Sequence, residues 1–404
     1  MKVKPHTWMI VMMLAWAMFG WAVEKHAVAK SAEEHFQSFV LRMAEARYSE
    51  AQMEIENAVR LSPKNAYYVA GKGLLDERMI GPSLGSGVYL VSTADLDEED
   101  RMHVDAAMSA YEKALALNPN DGCFHHNLGW LYNVSGHREQ AIDCFKKAIE
   151  ADGASAVYRV SFGLFYEQGG LTEDAANEYS SAIRLSPSLL DSRFFADFKR
   201  RRPSKAEELV AAVAQYLENQ VRQTGDPFFK ARLAKVYLYS GRTEALEILR
   251  QTTRELPNLS RPWLYLGQLY QLQSNEGEAK RSYERAVFLD KSDYSSQLRL
   301  GETYDREQRT SDAIGCYRSA IEDWLYKPSV SARRAARIYM AAHIVANDLI
   351  PEGLLSYTEP DFDLAGTCSR LAALYRDTGK TELADYYERL GKGTVPGSGF
   401  RVGG

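Results

Sequence analysis

The sequence predicts an all-α solenoid, in which about eight helical hairpins stack behind an amino-terminal hydrophobic segment. Three observations lead to this fold class. A Leu or Phe followed by Gly or Ala, with Tyr three residues further on, recurs about every 34 residues. Downstream of four copies, Ala, an aromatic residue and a second Ala recur at helical spacing, and Pro recurs where several second helices should end. The 404 residues are 25% charged and 45% hydrophobic, as in ordinary globular proteins.

The amino end has the pattern of an export or anchoring segment. Lys2 and Lys4 precede an uncharged run from Trp8 to Val23, and Ala27–Ala29 fits a signal-peptidase site. As a helix, this run would be roughly 24 Å long, against a bilayer core of about 30 Å. Residues 1–30 are therefore predicted to be a signal peptide or a retained membrane anchor, and a buried first helix is the remaining alternative. Either membrane-related alternative directs the rest of the chain out of the cytoplasm.

The repeat motif has a direct physical interpretation. Gly or Ala at the small position lets two antiparallel helices approach closely, and the aromatic residues fill the space between hairpins. Gly136, Gly170 and Gly241 lie where a first helix must end and the chain must reverse. The motif copies are Leu128–Tyr132, Phe162–Tyr166, Leu233–Tyr237, Leu266–Tyr270 and Leu300–Tyr304. This pattern resembles the tetratricopeptide repeat, which implies a right-handed solenoid with a concave groove for peptides.

Residues 31–391 are predicted to form one solenoid, because each hairpin leaves an apolar face that only its neighbour can cover. Clean units are expected at 121–188 and 226–327, a degenerate one at 31–64, and a closing one at 361–391. The unit at 65–120 is interrupted by an insertion loop at 79–103. Residues 189–225 and 328–360 are expected to be irregular units, and the Gly-rich residues 392–404 a flexible tail.

A narrower resemblance concerns the envelope. The stretch from His125 to Tyr132, followed by Ser161–Phe165 and Leu189–Ser192, is similar to the repeat extension of some bacterial O-antigen ligase family proteins. The resemblance implies a role in surface polysaccharide assembly. The multi-span catalytic region of a ligase has no counterpart here, so ligase activity is not implied.

The insertion is the first candidate for chemistry. Gly81–Gly85 matches G-x-S-x-G with Ser83 as the serine, which in hydrolases lies on a turn between a strand and a helix. No sheet is predicted to support it, so a plain Gly- and Pro-rich loop is the favoured interpretation. The acidic run that follows could bind Ca²⁺, but Asp95 or Asp97 capping the next helix is the simpler expectation.

The second candidate is the concave groove, where the repeat register predicts five partner-binding residues. His126, Trp130 and Asn133 should face the groove in one unit, and Gln268 and Glu302 in two others. A histidine and a tryptophan there could stack on a peptide or a sugar ring, while ordinary packing between repeats is the alternative. His125 should point inward. Because adjacent helical residues point about 100° apart, the two histidines are not expected to share a metal.

The cysteines and the basic run give weaker signals. Cys144 and Cys316 share a register in distant units and cannot meet, so no disulfide is predicted. The run Lys199–Arg202 could contact anionic headgroups, but a solvated linker is the favoured interpretation. A net charge of −5 disfavours a general nucleic-acid binder.

The expected function is that of a non-enzymatic protein–protein interaction scaffold at the bacterial cell envelope. Its groove would hold a protein or peptide partner, without metal, cofactor, catalytic residue or nucleic acid. The expected location is the outer face of the inner membrane, or the periplasm or medium if the chain is cleaved after Ala29. A cytoplasm-facing, membrane-tethered adaptor is one alternative. A hydrolase or glycan-binding protein using residues 79–103 is another.

Overall fold

The computed structural model of the chain describes residues 30–44, 47–80, 96–325 and 362–392. Within these ranges the chain forms eighteen α-helices and one 3₁₀ turn, and no strand. In chain order, the helices are α1 (Ala32–Ala44), α2 (Tyr48–Leu61), α3 (Ala66–Met79), α4 (Glu98–Leu117), α5 (Gly122–Val134), α6 (Arg138–Ala151), α7 (Ala156–Gln168), α8 (Thr172–Leu185), α9 (Arg193–Arg201), α10 (Pro203–Thr224), α11 (Pro227–Tyr239), α12 (Ala245–Glu255), α13 (Ser260–Leu272), α14 (Glu276–Leu289), α15 (Tyr294–Arg306), α16 (Thr310–Leu325), α17 (Leu364–Asp377) and α18 (Thr381–Gly391).

Sixteen of these helices form eight hairpins of consecutive helices, which agrees with the predicted all-α array. The pairs are α1–α2, α3–α4, α5–α6, α7–α8, α11–α12, α13–α14, α15–α16 and α17–α18. We call the first members of these pairs the first-helix row. Each second helix in turn packs against the first helix of the following hairpin or against the irregular helices described below.

The small residue of the motifs that contain glycine is explained by the close approach of an aromatic ring. A Cβ atom built on Gly129 would lie 3.2 Å from the Phe145 ring, and one on Gly267 would lie 2.5 Å from the Tyr283 ring. The insertion does not prevent this packing, because a Cβ on Gly73 would lie 2.9 Å from Tyr111. Helices α3 and α4 therefore form an ordinary hairpin although 18 residues, 80–97, separate them.

Helices end close to the glycine and proline residues from which their ends were predicted. Gly136, Gly170 and Gly241 all adopt positive φ directly after a first helix, which glycine does without steric cost. Ser274 and Gln308 occupy the same register with φ of 58° and 59°, so these two units close with a side chain in the left-handed region. Second helices end two residues before Pro63, Pro119, Pro187 and Pro257.

The segment expected to be irregular at 189–225 departs from the hairpin pattern. A 3₁₀ turn at Pro187–Asp191 leads into the short α9 and then into α10, the longest described helix. Helix α9 buries Phe194, Phe195 and Phe198, and α10 packs against both α8 and α11. Helix α11, the next first helix, contacts both the 3₁₀ turn and α10.

Helices α16 and α17 are direct neighbours, although residues 326–363 separate them in the sequence. The Arg370 guanidinium of α17 binds the Asp305 carboxylate of α15, with N–O distances of 2.5 and 2.6 Å. The Phe362 ring, just before α17, contacts Tyr294 and Trp324. The irregular unit predicted at 328–360 lies outside the described residues. The hairpins before and after it pack directly against each other through α16 and α17.

Other sequence predictions also fall outside the described ranges. They are the hydrophobic segment at 1–29, the Ser83 motif within 81–95, and the tail from 393 onwards. Among the residues that the structure describes, no helix is both long enough and apolar enough to cross a membrane.

Candidate functional site

His126 and Trp130 are part of the interior and not of an accessible groove surface. His126 is 0% exposed and Trp130 is 2% exposed. The His126 ring stacks on Tyr158 with centroids 5.2 Å apart, and the Trp130 ring meets Phe145 edge-on at 5.3 Å. The prediction that these two side chains are available to a partner is therefore wrong. The alternative, packing between repeats, describes them correctly.

His126 belongs to a buried chain of hydrogen bonds. Its Nε2 lies 2.8 Å from the Ser161 hydroxyl of α7, and its Nδ1 lies 2.9 Å from Asn127 Oδ1. Asn127 donates through Nδ2 to the Tyr111 hydroxyl at 3.0 Å, and Tyr111 also interacts with the Glu77 carboxylate. Because Asn127 Oδ1 can only accept, Nδ1 carries the proton and Nε2 accepts from Ser161. Burial lowers the pKa of His126 to about 4, which keeps the ring neutral.

His125 packs inward, as its register predicted. It is 9% exposed, and its Nε2 lies 2.8 Å from the Pro119 carbonyl oxygen. Burial is the main cause of its lowered pKa.

The other three predicted groove residues are half-buried and polar. Asn133 donates through Nδ2 to Gln168 Oε1 at 3.1 Å, which links two first helices. Glu302 of α15 accepts from Arg299 Nη1 at 3.0 Å. Gln268 lies on α13, the first helix of the preceding hairpin. Among the five predicted residues, these are the ones that a partner could reach.

One face of the first helices defines the candidate site. It consists of the residues six before, two before and one after the small residue of the motif. These positions lie four and then three residues apart, so their side chains share one helical face. In α11, α13 and α15 this inner stripe comprises Phe228, Arg232 and Lys235; Arg261, Tyr265 and Gln268; and Ser295, Arg299 and Glu302.

Lys235 is the most unusual residue of the inner stripe, because its ammonium group is almost completely buried. Its side chain is 4% exposed, and its Nζ lies 2.6 Å from Asp191 Oδ2 in the 3₁₀ turn. The same Nζ lies 5.2 Å from the centroid of the Tyr265 ring, within the range of a cation–π contact. An ammonium has three N–H donors. Among the described residues, Asp191 is the one oxygen acceptor found for them.

Two guanidinium groups on the following first helices approach Lys235. Burial lowers its pKa; Asp191 opposes this shift, while the charges of Arg261 and Arg299 add to it. Arg261 Nη2 lies 3.5 Å from Oδ1 of Asp293, the buried residue that caps α15. Side chains of Arg261 and Arg299 are each 41% exposed. We call Asp191, Lys235, Arg261, Tyr265, Asp293 and Arg299 the groove cluster.

The sequence contained a signal for Lys235 that the motif analysis missed. Lys235 follows Ala234 just as Trp130 follows Gly129 and Glu302 follows Gly301. Asp191 could not be found in this way, because it lies in the irregular segment outside the repeat register.

The other candidates have structural roles where they are described. Asp97 accepts from the Asp100 backbone N–H at 2.8 Å and caps α4, as the simpler interpretation of the acidic run predicted. In the basic run, Arg201 binds Glu167 at 3.1 Å and Arg200 binds Asp197 at 2.7 Å. The four cysteines are free and buried. Within the described ranges, no group of three or more His, Cys, Asp or Glu side chains could hold a metal ion.

Comparison with known families identifies one repeat directly. Residues 110–143 match the family model of the tetratricopeptide repeat. This stretch includes the end of α4, the whole of α5 and the start of α6. The chain contains a tetratricopeptide repeat. The resemblance stated from the Leu128–Tyr132 motif is confirmed for this unit.

Curated relatives share parts of the array. The human antiviral innate immune response effector IFIT1 is 23% identical over an alignment of 296 residues, which covers 62% of this chain and 57% of IFIT1. The small glutamine-rich tetratricopeptide repeat-containing protein 2 of Mycosarcoma maydis is 32% identical over 85 residues, or 20% of this chain and 24% of the relative. The matched regions thus span little more than half of IFIT1 and about a quarter of the second protein.

Among solved structures, the chain is similar to YrrB, described as a TPR protein with an unusual peptide-binding site. The identity is 16%, and the match covers 57% of this chain and 99% of YrrB. The TM-score of 0.24 is too low to indicate the same overall arrangement of helices.

Proposed function

We propose that this chain is a non-enzymatic interaction scaffold, which holds a protein or peptide partner against the inner stripe of its first-helix row. Tetratricopeptide repeats commonly serve as protein-interaction scaffolds, and the chain contains such a repeat. The observation that carries the proposal is the change along this row. In α5 and α7 this face is uncharged and, apart from Val157, buried. In α11, α13 and α15 it carries charged residues, and Arg232, Arg261, Gln268, Arg299 and Glu302 are half-buried.

A solenoid surface of this kind suits an extended partner. The groove cluster and the half-buried Gln268 and Glu302 come from three first helices and the 3₁₀ turn, so a bound segment would contact several repeats at once. A few of these contacts would carry most of the affinity, and the others would add complementarity. The specificity for a particular partner segment would come from the first-helix row as a whole.

Site-specific photocrosslinking tests the proposal. A photoreactive phenylalanine derivative at Gln268 lies on the inner stripe, and the same residue at Phe288 of α14 lies on an exposed position outside it. We expect one defined partner to crosslink at position 268 and not at 288. Equal crosslinking at both positions, or none at either, would contradict the proposal.

We further propose that the scaffold acts at the bacterial envelope, serving surface polysaccharide assembly. The support is the signal-like sequence of residues 1–30 and the similarity of His125–Tyr132, Ser161–Phe165 and Leu189–Ser192 to ligase-associated repeats. Carboxyl-terminal fusions to alkaline phosphatase and to a green fluorescent protein distinguish the two topologies. Phosphatase activity without fluorescence supports the envelope location, and the reverse result supports a cytoplasm-facing adaptor.

The mass of the mature amino terminus separates two forms of this envelope proposal. A chain beginning at Lys30 and recovered in the soluble fraction is an exported protein. A chain beginning at Met1 and recovered with membranes is an anchored scaffold, whose partner should be sought among membrane enzymes.

A further inference from the structure

The geometry points to an anionic bilayer as a partner of helix α9, which rests against phospholipid headgroups through its basic side chains. We call these exposed side chains the α9 basic surface: Arg193, Lys199, Arg200, Arg201 and Arg202, the last directly after the helix. The inference goes beyond the proposed scaffold, because this surface is separate from the inner stripe of the first helices.

The apolar side of α9 is already occupied by the protein core. Phe194 and Phe198 both meet the Tyr179 ring edge-on, with centroids 4.8 and 5.0 Å away. Phe195 meets the Tyr239 ring at 5.7 Å. Since the three phenylalanines are buried, the helix is fixed in orientation and presents its polar side to solvent. Contact with a bilayer is therefore electrostatic, without insertion of α9.

One carboxylate of α9 serves two of its guanidinium groups. Asp197 accepts a hydrogen bond from Arg200 at 2.7 Å and lies 4.0 Å from Arg193. The Asp197 side chain is only 18% exposed, whereas the Arg200 and Arg193 side chains are 77% and 75% exposed. The shared anion thus lies close to the protein, and the cations extend into solvent.

A second carboxylate serves the next two cations. Glu167, near the end of α7, lies 3.1 Å from Arg201 and 3.8 Å from Arg202. The fifth cation is Lys199, whose Nζ lies 3.4 Å from the Tyr239 hydroxyl and 5.5 Å from the centroid of that ring. Among the described residues, Lys199 has no carboxylate within salt-bridge distance.

The α9 basic surface therefore carries an excess of positive charge. Two carboxylates face five cations, and the carboxyl end of a helix adds only about half a negative charge. This excess stands out in a chain whose net charge is −5. Lys205, the next cation along the chain, pairs with both Glu173 and Glu208, so the excess ends at Arg202.

An anionic bilayer fits this surface better than a nucleic acid does. Clusters of four or more Lys and Arg residues are attracted to anionic lipid surfaces, and guanidinium groups match the geometry of phosphate oxygens. A single-stranded nucleic acid would need rings on which its bases stack, and every aromatic side chain of α9 is buried. The sequence of residues 1–30 supports the same choice, because a basic start followed by an uncharged run is typical of a segment that enters a bilayer.

A polarity-sensitive dye on α9 tests the inference with the full chain. Ala196→Cys offers an exposed attachment site among the basic residues, while the four native cysteines are buried. The dye signal should rise with vesicles made of equal parts phosphatidylcholine and phosphatidylglycerol, and not with phosphatidylcholine alone. Raising the salt from about 0.1 M to about 1 M should abolish the rise, because the Debye length falls from about 10 Å to about 3 Å. A dye on Phe288→Cys, an exposed position of α14, should not respond.

Arg200→Gln has a closely matched control in Arg281→Gln on α14. Arg281 is 73% exposed and pairs at 2.7 Å with Glu278, three residues before it, just as Arg200 pairs with Asp197. The two arginines differ in their surroundings. Arg200→Gln should raise the lipid concentration at half-maximal dye signal about fivefold, as for loss of one basic side chain at an anionic surface. Arg281→Gln should leave this concentration unchanged.

Asp197→Asn should have the opposite effect on binding. The substitution removes the carboxylate shared by Arg193 and Arg200 and leaves both guanidinium groups to the headgroups. The half-maximal lipid concentration should therefore fall by a similar factor, about fivefold. A purely structural role of Asp197 would not strengthen binding. Circular dichroism checks that each variant retains its helices.

Several outcomes would overturn the inference. They are an equal dye response to neutral vesicles, equal effects of Arg200→Gln and Arg281→Gln, and weaker binding by Asp197→Asn. A single-stranded oligouridylate that raises the dye signal where anionic vesicles do not would assign the surface to nucleic acid instead. The vesicle assay needs neither a protein partner nor a particular topology, so this inference can fail while crosslinking at Gln268 and the phosphatase fusions support the proposed function.

Discussion

Acidification should destabilise the array through His126. Burial lowers the pKa of this imidazole from 6.5 to about 4. Between these two values the unfolded chain binds more protons than the folded chain, so the free energy of unfolding falls as the pH falls. The contribution of the neutral ring is fully present above pH 6.5 and is lost as the pH drops towards 4. At 1.36 kcal/mol per pKa unit, the complete loss is about 3 kcal/mol.

Two measurements test this prediction. The Cε1–H resonance of His126, assigned from the spectrum of His126→Asn, should not titrate between pH 8 and pH 5. Urea unfolding followed by circular dichroism should show that His126→Asn loses about 2 kcal/mol less than the unmodified protein between pH 6.5 and pH 5. His137→Asn, at an exposed position before α6, is the matched control and should follow the unmodified protein.

A resonance of His126 that titrates near pH 6.5 would refute the reasoning. It would show that the imidazole reaches solvent, and it would return His126 to the groove surface where its repeat register first placed it.

The remaining predictions concern packing, charge and turns. Gly163→Ala should lower the free energy of unfolding by about 1–2 kcal/mol, because its Cβ would overlap the Tyr179 ring, which Phe194 and Phe198 hold in place. Gly315→Ala, which meets open space inside α16, should instead raise it by about 0.5–1 kcal/mol, so the urea midpoints of the two variants should move in opposite directions. Asp191→Asn should cost about 2–4 kcal/mol in the same assay, because it leaves a buried ammonium without a counter-charge; a loss below about 1 kcal/mol would contradict the burial of this pair. The four buried thiols should remain unreactive to Ellman's reagent at pH 8 until urea unfolds the chain.

The fold could be predicted from the sequence because the repeat encodes its own packing. Each motif glycine lies against an aromatic ring of the following helix, and Gly73 makes the same contact with Tyr111 across the insertion. The ends of these first helices were also predicted correctly, because Gly136, Gly170 and Gly241 form the expected turns. Ser274 and Gln308 adopt the same backbone without glycine, so the turn follows from the register of the repeat as well as from the residue.

The candidate site was predicted less well, because repeat register gives the direction of a side chain and not the thickness of the layer around it. His126 and Trp130 point where the register indicates, but Tyr158 and Phe145 cover them. Their burial depends on the aromatic residues contributed by neighbouring helices. No periodicity within α5 could show this.

The regions of the first-helix row around α5 and around α11 therefore differ in how their buried polar groups are paired. Around α5, the hydrogen-bonded chain from Tyr111 through Asn127 and His126 to Ser161 joins buried polar groups of three hairpins and fixes their relative positions. Around α11, Lys235 is buried with a single carboxylate partner, an arrangement that an apolar side chain of similar volume would often make more stable. Lys235→Met should therefore leave the array folded, with a urea midpoint no lower than that of the unmodified protein. A lower midpoint would show that the buried ion pair stabilises the core.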